Sequence, residues 1–322
     1  MLKISCRIRI EGVSVRLQCV MVAAVLVALC VDDYAMASGS SNRLPSSHVM
    51  VAGFEWHTDY MLAYQAACRS KRMLLINFLP SSQSLSANNE AGQAQHELEK
   101  VIATDGVLRQ QLESVIRVRL QWDTQIQLDG KSTRLLDNAA FQHLEGQPGI
   151  AIVDLAHEGA SYYGRTVSVF PFHNGKYYCW KPEHLSIALQ LPPGTITQRT
   201  MIWAVRIHPE RPASTTGSED TGLAQAAESH SQHQANLGLQ GHHQWDTRFH
   251  QVRSMVGAST ASEVVAESWP GQNMIDSCID CVSSWRHSSG HWRSVRRRHR
   301  FYGYDIRRGR NGIWYGTGIF AN

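Results

Sequence analysis

Three things are scarce in this chain, and each scarcity narrows the possibilities. Cysteine is thin, with seven in 322 residues, too few for a disulfide scaffold, so the folds must rest on buried apolar cores. Charge of one sign is lacking: 31 lysines and arginines face 27 acidic residues, a formal net charge of +4. A dedicated nucleic-acid binder needs a larger excess, so any basic function is local. Long apolar runs are absent after the first segment, and no later run is long enough to span a bilayer. What the chain does have is 43% hydrophobic residues, which excludes full disorder and leaves room for about two domains on length grounds.

The first segment reads as an address label. Lys3, Arg7, Arg9 and Arg16 precede an apolar run of 13 residues, Cys19 to Val31, and Ala35-Met36-Ala37 is a small-x-small cleavage signal before Ser38. Residues 1–37 are therefore expected to be a secretory signal peptide, and the protein to be secreted or periplasmic. The run is shorter than the ~20 residues of a spanning helix, so no transmembrane span should remain after cleavage. Cys68, Cys179, Cys278 and Cys281 are left in an oxidising compartment, with their pairing undetermined.

The remainder divides into residues 50–206, a linker at 207–222 rich in Pro, Ser, Thr and Gly, and residues 223–322. In the first block, helical spacing of Tyr60, Ala63, Tyr64 and Ala67 predicts a helix over 59–70, followed by the buried strand Leu74–Leu79. A second helix is expected from about Glu90 to Ala103. Strands follow at 116–120 and 150–155, the latter entered through Gly146-Gln147-Pro148-Gly149. Asn174-Gly175 predicts a tight hairpin between strands at 167–172 and 177–180, and Pro182 opens a closing helix over 183–191.

That order, with Trp56 and the paired tyrosines at the first helix, the LLINFL strand, and Gly-x-Pro before a strand running into Asp154, resembles the thioredoxin fold over roughly residues 52–192. The resemblance implies Cys-x-x-Cys in the loop after the LLINFL strand. Here that loop is Pro80-Ser81-Ser82-Gln83-Ser84-Leu85-Ser86, and a serine hydroxyl without an adjacent base does no thiol chemistry. Pro148 matches the family's cis-proline position and is expected to be a structural turn. Cys68 and Cys179 read as packing residues, with a disulfide between them as the alternative.

The second block holds nine of the 16 histidines if His208 is counted with it. Helices are expected at 223–236 and 244–255, then a segment Glu263–Trp269, an apolar-striped helix over 274–285, a break at Arg286–His291, a short basic helix, and strands around 302–306 and 313–320. The pieces AAESHSQHQANLGLQGH, Ser262-Glu263-Val264-Val265-Ala266 and Ser284-Trp285-Arg286-His287-Ser288-Ser289-Gly290-His291, together with the closing GIWYGTGIF, resemble the SCP-like domain of the CAP superfamily. The resemblance implies an α-β-α sandwich and places His242, Glu263 and His291 around one cavity. It departs from the family in three ways. The family's opening helix is missing unless residues before the linker supply it, Val264 replaces Asn, and the second family glutamate has no counterpart because that helix carries Asp276 and Asp280.

Two imidazoles and a carboxylate can hold Zn²⁺ with an open water position, His242 and His291 being the candidate ligands, or can simply tie three segments together. No nucleophile or dedicated base accompanies them. Cys278-Ile-Asp-Cys281 has redox spacing but lies inside a helix, where no N-terminal dipole stabilises a thiolate. Arg296, Arg297, Arg298 and Arg300, amid aromatic residues, form a candidate anion-binding patch; the plainer expectation is a solvated face pairing with acids of the same domain. His230 and His233 are expected on a helix surface.

The sequence thus predicts an α/β protein, a thioredoxin-like domain followed by a short CAP-like α-β-α sandwich. It is expected to act as an exported, non-catalytic binding or envelope-associated protein, partnering an envelope or extracellular component and not nucleic acid. A metal-dependent hydrolase using His242, Glu263 and His291 is the first alternative, and a disulfide oxidoreductase using Cys278 and Cys281 the second.

Overall fold

The computed structural model describes residues 47–81, 89–128 and 130–322; the expected signal peptide and most of the serine-rich loop lie outside them. Mixed helices and strands make an α/β fold. The first half opens with the hairpin β1 (His48–Val51) and β2 (Phe54–His57), then α1 (Tyr60–Ser70), β3 (Leu74–Leu79), α2 (Glu90–Thr104), α3 (Gly106–Glu113) and β4 (Ile116–Gln121). A hairpin of β5 (Gln125–Leu128) and β6 (Lys131–Arg134), two short 3₁₀ turns, β7 (Gly149–Val153), β8 (Thr166–Pro171) and α4 (Glu183–Leu189) complete it. Asp59 caps α1 by accepting from the Leu62 N–H, and Asn89 caps α2 likewise from Ala91, which is why these helices start where the sequence says. The sheet runs β1-β2-β4-β3-β7-β8, with β2, β4 and β3 parallel and β7 and β8 antiparallel. Every residue of β7 and β8 is buried, as is β3 up to Phe78, matching their unbroken apolar character.

Two local expectations fail. The Gln147–Pro148 peptide is trans, since no cis peptide occurs among the described residues. Residues 177–180 do not form a strand; β8 instead leads into a coiled loop. A carboxylate from the other half accounts for that loop. Asp276 accepts the N–H groups of Lys176, Tyr177 and Tyr178, each at 2.8 Å, consuming donors that a strand would have spent on a ladder. A Cβ at Gly175 would fall 2.4 Å from this carboxylate, so glycine is required here for close approach rather than for a hairpin turn.

Continuing, α5 spans Ile196–Ile207, β9 Ser218–Glu219, α6 Thr221–Leu237, α7 Trp245–Val256, β10 Ala261–Glu267, α8 Met274–Arg286, α9 Ser289–Arg296, β11 Phe301–Arg308 and β12 Trp314–Ala321. The sheet order is β10-β12-β11-β9. Period-two alternation sorts its faces. Ile319 and Ala321 pack with Leu223 and Ala227 of α6 and Val252 of α7. On the other face Tyr302, Tyr304, Ile306 and Phe320 join the core shared with α5 and α8. At Gly303 a Cβ would lie 2.3 Å from the Ala224 nitrogen, so α6 can lie on the sheet only because that position has no side chain.

Helix α5 was not foreseen, although Thr195 and Gln198 form a full capping box. All residues from Gln198 to Val205 are buried. Trp203 packs against Phe170 and His184 of the first half, with ring centroids at 5.2 and 5.0 Å. On the second sheet, a Cβ added at Gly316 would lie 3.6 Å from the Met201 side chain. Residues 207–222 are correspondingly packed rather than loose. The hydroxyls of the buried Ser214 and Tyr304 bond at 2.7 Å, and β9 pairs with β11.

The two halves therefore share one core. Asp276→Ala should lower unfolding stability by about 3 kcal/mol, because three oriented donors lose a charged acceptor. Urea titrations should show it, with fluorescence and far-ultraviolet circular dichroism reporting one coincident transition for both halves.

Candidate functional site

The three residues singled out in the second block meet, and the fold explains how. Alternation along β10 sends Val264 into the shared core and Glu263 toward α6 and α7. Helix α6 ends at Gly238, φ +66°, the left-handed stop that turns the chain into the 239–243 loop. Gln234 pins this loop, accepting the Gly241 N–H at 3.1 Å and donating to Thr317 of β12 at 3.0 Å. His291, expected within a break, lies in the first turn of α9.

Geometry orders the contacts. His242 Nδ1 donates to Glu263 Oε1 at 2.9 Å, and His242 Nε2 lies 3.1 Å from His291 Nε2. With Nδ1–H given to the carboxylate, the Nε2 lone pair of neutral His242 accepts from His291 Nε2–H. The Glu263 side chain is 1% exposed and that of His242 44%, so the carboxylate orients an imidazole from beneath while the imidazole pair reaches the surface. Burial, together with neighbouring His242, holds the His291 imidazole below its ordinary range against the pull of Glu263.

Two further participants join the site: Arg248, which had no signal in the sequence, and His230, expected only as a surface histidine. Arg248 of α7 donates through Nε to Glu263 Oε2 at 2.7 Å, with Nη2 at 2.6 Å from the same oxygen, and through Nη1 to the His243 carbonyl at 3.0 Å. His230 is buried, not on a helix surface. Its Nε2 donates to the Gly241 carbonyl at 3.0 Å and lies 3.7 Å from Glu263. Burial, aided by Arg248 and His233, pushes its pKa down to about 4 despite Glu263. His233 and His243 stand nearby, with ring centroids 5.6 Å apart. These partnerships depend on which helices cross β10, and no spacing encodes that.

Among the described residues, no group of three or more His, Cys, Asp or Glu side chains is arranged to hold a metal ion. His242 and His291 offer two nitrogens on one side, while Glu263 lies behind His242. The α8 acids are used elsewhere: Asp276 on the 176–178 loop, and Asp280 accepting the Trp269 N–H at 3.2 Å.

The cysteines separate by burial. Cys278 and Cys281 are free, fully buried thiols, and burial drives both pKa values far up, leaving no thiolate for exchange near neutral pH. Cys179 is a free, exposed thiol. The arginine patch also divides. Arg296 and Arg297 line a cavity of about 650 Å³ with Arg286 and Arg293; Arg298 is not part of its lining, and Arg300 lies over the Phe301 ring at 4.9 Å.

Glu263→Ala should destabilise by about 3–5 kcal/mol, since it strands the largely buried Arg248. His242→Ala, at the surface end, should cost less than about 1 kcal/mol; urea unfolding of both variants distinguishes them. His230 has a pKa below its unfolded value of 6.5, so between about 4 and 6.5 the unfolded chain binds more protons. Its contribution to stability is then complete above 6.5 and lost as pH falls toward 4. Asp305, pushed up to about 7 by burial, gives the opposite slope, so the informative quantity is the difference between wild type and His230→Gln. That difference should shift steadily with acidification across this window.

Set against known proteins, the chain matches no family model, no curated protein and no solved structure.

Proposed function

We propose that this is an exported, non-catalytic binding protein of the cell envelope or extracellular space. Its CAP-like half presents the His242–Glu263–His291 cluster, and its thioredoxin-like half, without redox cysteines in the characteristic loop, serves as scaffold. One observation carries the reading: both oxygens of Glu263 are engaged, one orienting His242 and the other held by Arg248, which favours a positioning role for this carboxylate over that of a general base. No serine, threonine or cysteine bonds to His242 or His291 among the described residues, so the pair is not coupled to a side-chain nucleophile. Support for the two halves comes from the sheet orders, from the all-buried β7–β8 pair ahead of closing helix α4, and from the three layers α5/α8, sheet and α6/α7. In this reading α5 supplies the opening helix that the sequence seemed to lack.

A second reading, a divalent metal held by His242 and His291, is favoured by one distance. Two imidazole nitrogens on a tetrahedral zinc stand about 3.3 Å apart, and here the Nε2 atoms are 3.1 Å apart. Glu263 behind Nδ1 is the outer partner such a ligand needs. With two protein ligands, water would complete the coordination, and affinity would be modest.

Zinc titration by calorimetry should detect at most weak binding, abolished in His242→Ala and His291→Ala. Ester, peptide and phosphoester test substrates should remain intact with or without zinc, and turnover that disappears in His242→Ala would overturn the binding reading in favour of a hydrolase. Insulin reduction should be absent in wild type and in Cys278→Ser/Cys281→Ser alike.

A further inference from the structure

Charge in the C-terminal region is lopsided: residues 286–310 contain nine arginines and a single acid, Asp305. Part of that excess is neutralised internally. Arg286 pairs with Glu210, and Arg307 with Asp305 and Glu228. Arg293, Arg296 and Arg297 are exposed and have no carboxylate partner among the described residues. With Arg286 they surround the 650 Å³ cavity: Ser289, Trp292, Arg293 and Arg296 recur at helical spacing on α9, and Arg297 follows as the extended residue just past its end.

Guanidinium groups three and four positions apart on a helix repel one another, and a concave wall concentrates their field. Other features keep the wall in shape. Trp292 is buried and donates its indole N–H to Glu210 at 2.9 Å, and His208 packs on its ring at 4.7 Å. Glu210 also receives Arg286, so one carboxylate fixes both the aromatic floor and the first arginine, while no acid lines the cavity itself. At the Ser289 end, N-cap Ser288 makes no side-chain capping bond, leaving first-turn N–H groups for an anion. Adjacent arginine Cβ atoms on such a face stand about 5–6 Å apart. A single carboxylate would engage one planar fork; several forks at that spacing match the dense oxygens of neighbouring phosphoryl groups.

We propose that this cavity binds a ligand presenting two closely spaced phosphoryl groups. The cavity shares α9 with the histidine cluster but none of its three residues, so it stands independently of the function proposed above.

The test uses the full chain and two probes: pyrophosphate, followed by calorimetry, and phosphatidylcholine vesicles with or without cardiolipin, followed by co-sedimentation. Arg296→Ala/Arg297→Ala should weaken binding about tenfold or more. Arg298→Ala/Arg300→Ala removes equal charge outside the cavity and should leave binding unchanged; thermal melts establish that both variants are folded. Binding of pyrophosphate alone assigns a soluble phosphorylated ligand, and binding of cardiolipin vesicles alone assigns a lipid headgroup. Either supports the proposal when lost in the first variant and kept in the second. Failure of both probes to bind wild type, or equal loss in the two variants, overturns it.

Discussion

Helix α5 has no wet side, and the architecture follows from that. A helix buried all round must be covered on every face; here β8 and α4 cover one side and β11 and α8 the other. Its single buried cation shows how strict the enclosure is. Arg199 is 2% exposed, and its guanidinium is satisfied by a cage: Nε by the Val167 carbonyl and Ser168 hydroxyl, Nη1 by Leu191 and Pro192, Nη2 by Ala188. Burial lowers its pKa to about 10, still high enough to keep the charge that makes those bonds strong. Asp276 does the reciprocal work from α8, fastening a loop of the first half by backbone N–H groups alone.

The same logic of a buried charge requiring partners organises the histidine cluster. Glu263 sits on a sheet face covered by α6 and α7, where an unpaired carboxylate would be costly. Arg248 removes that penalty, and what remains of the carboxylate's hydrogen-bonding capacity sets the tautomer of His242. The result is an imidazole pair reaching the surface, oriented from beneath by a buried carboxylate.

Elements announced by local chemistry could be read in advance. Asp59 as a cap, Gly238 as a stop, and the apolar runs of β3 and β7 all act within a few residues. His242, Glu263 and His291 were legible for another reason: the motifs around them resemble a family, while spacings of 21 and 28 residues by themselves carry no contact information. The expected strand at 177–180 went wrong because the competing acceptor, Asp276, lies about a hundred residues away. His230 was misplaced because a helix face looks polar until another segment, here the 239–243 loop, covers it. Helix α5 carries a local signal in the Thr195–Gln198 capping box, but its burial on every side depends on elements from both halves of the chain.

Sequence by itself determined the mixed class, the positions of most helices and strands, the lack of cysteine in the loop after β3, and the clustering of arginine toward the C-terminus, since these depend on composition and short-range pattern. Tertiary structure alone decided that the two halves share a core through α5, that Arg248 joins the site, and which arginines remain unpaired. Each of those outcomes depends on which faces meet across long stretches of chain, and burial and pairing of charge have no meaning until they do.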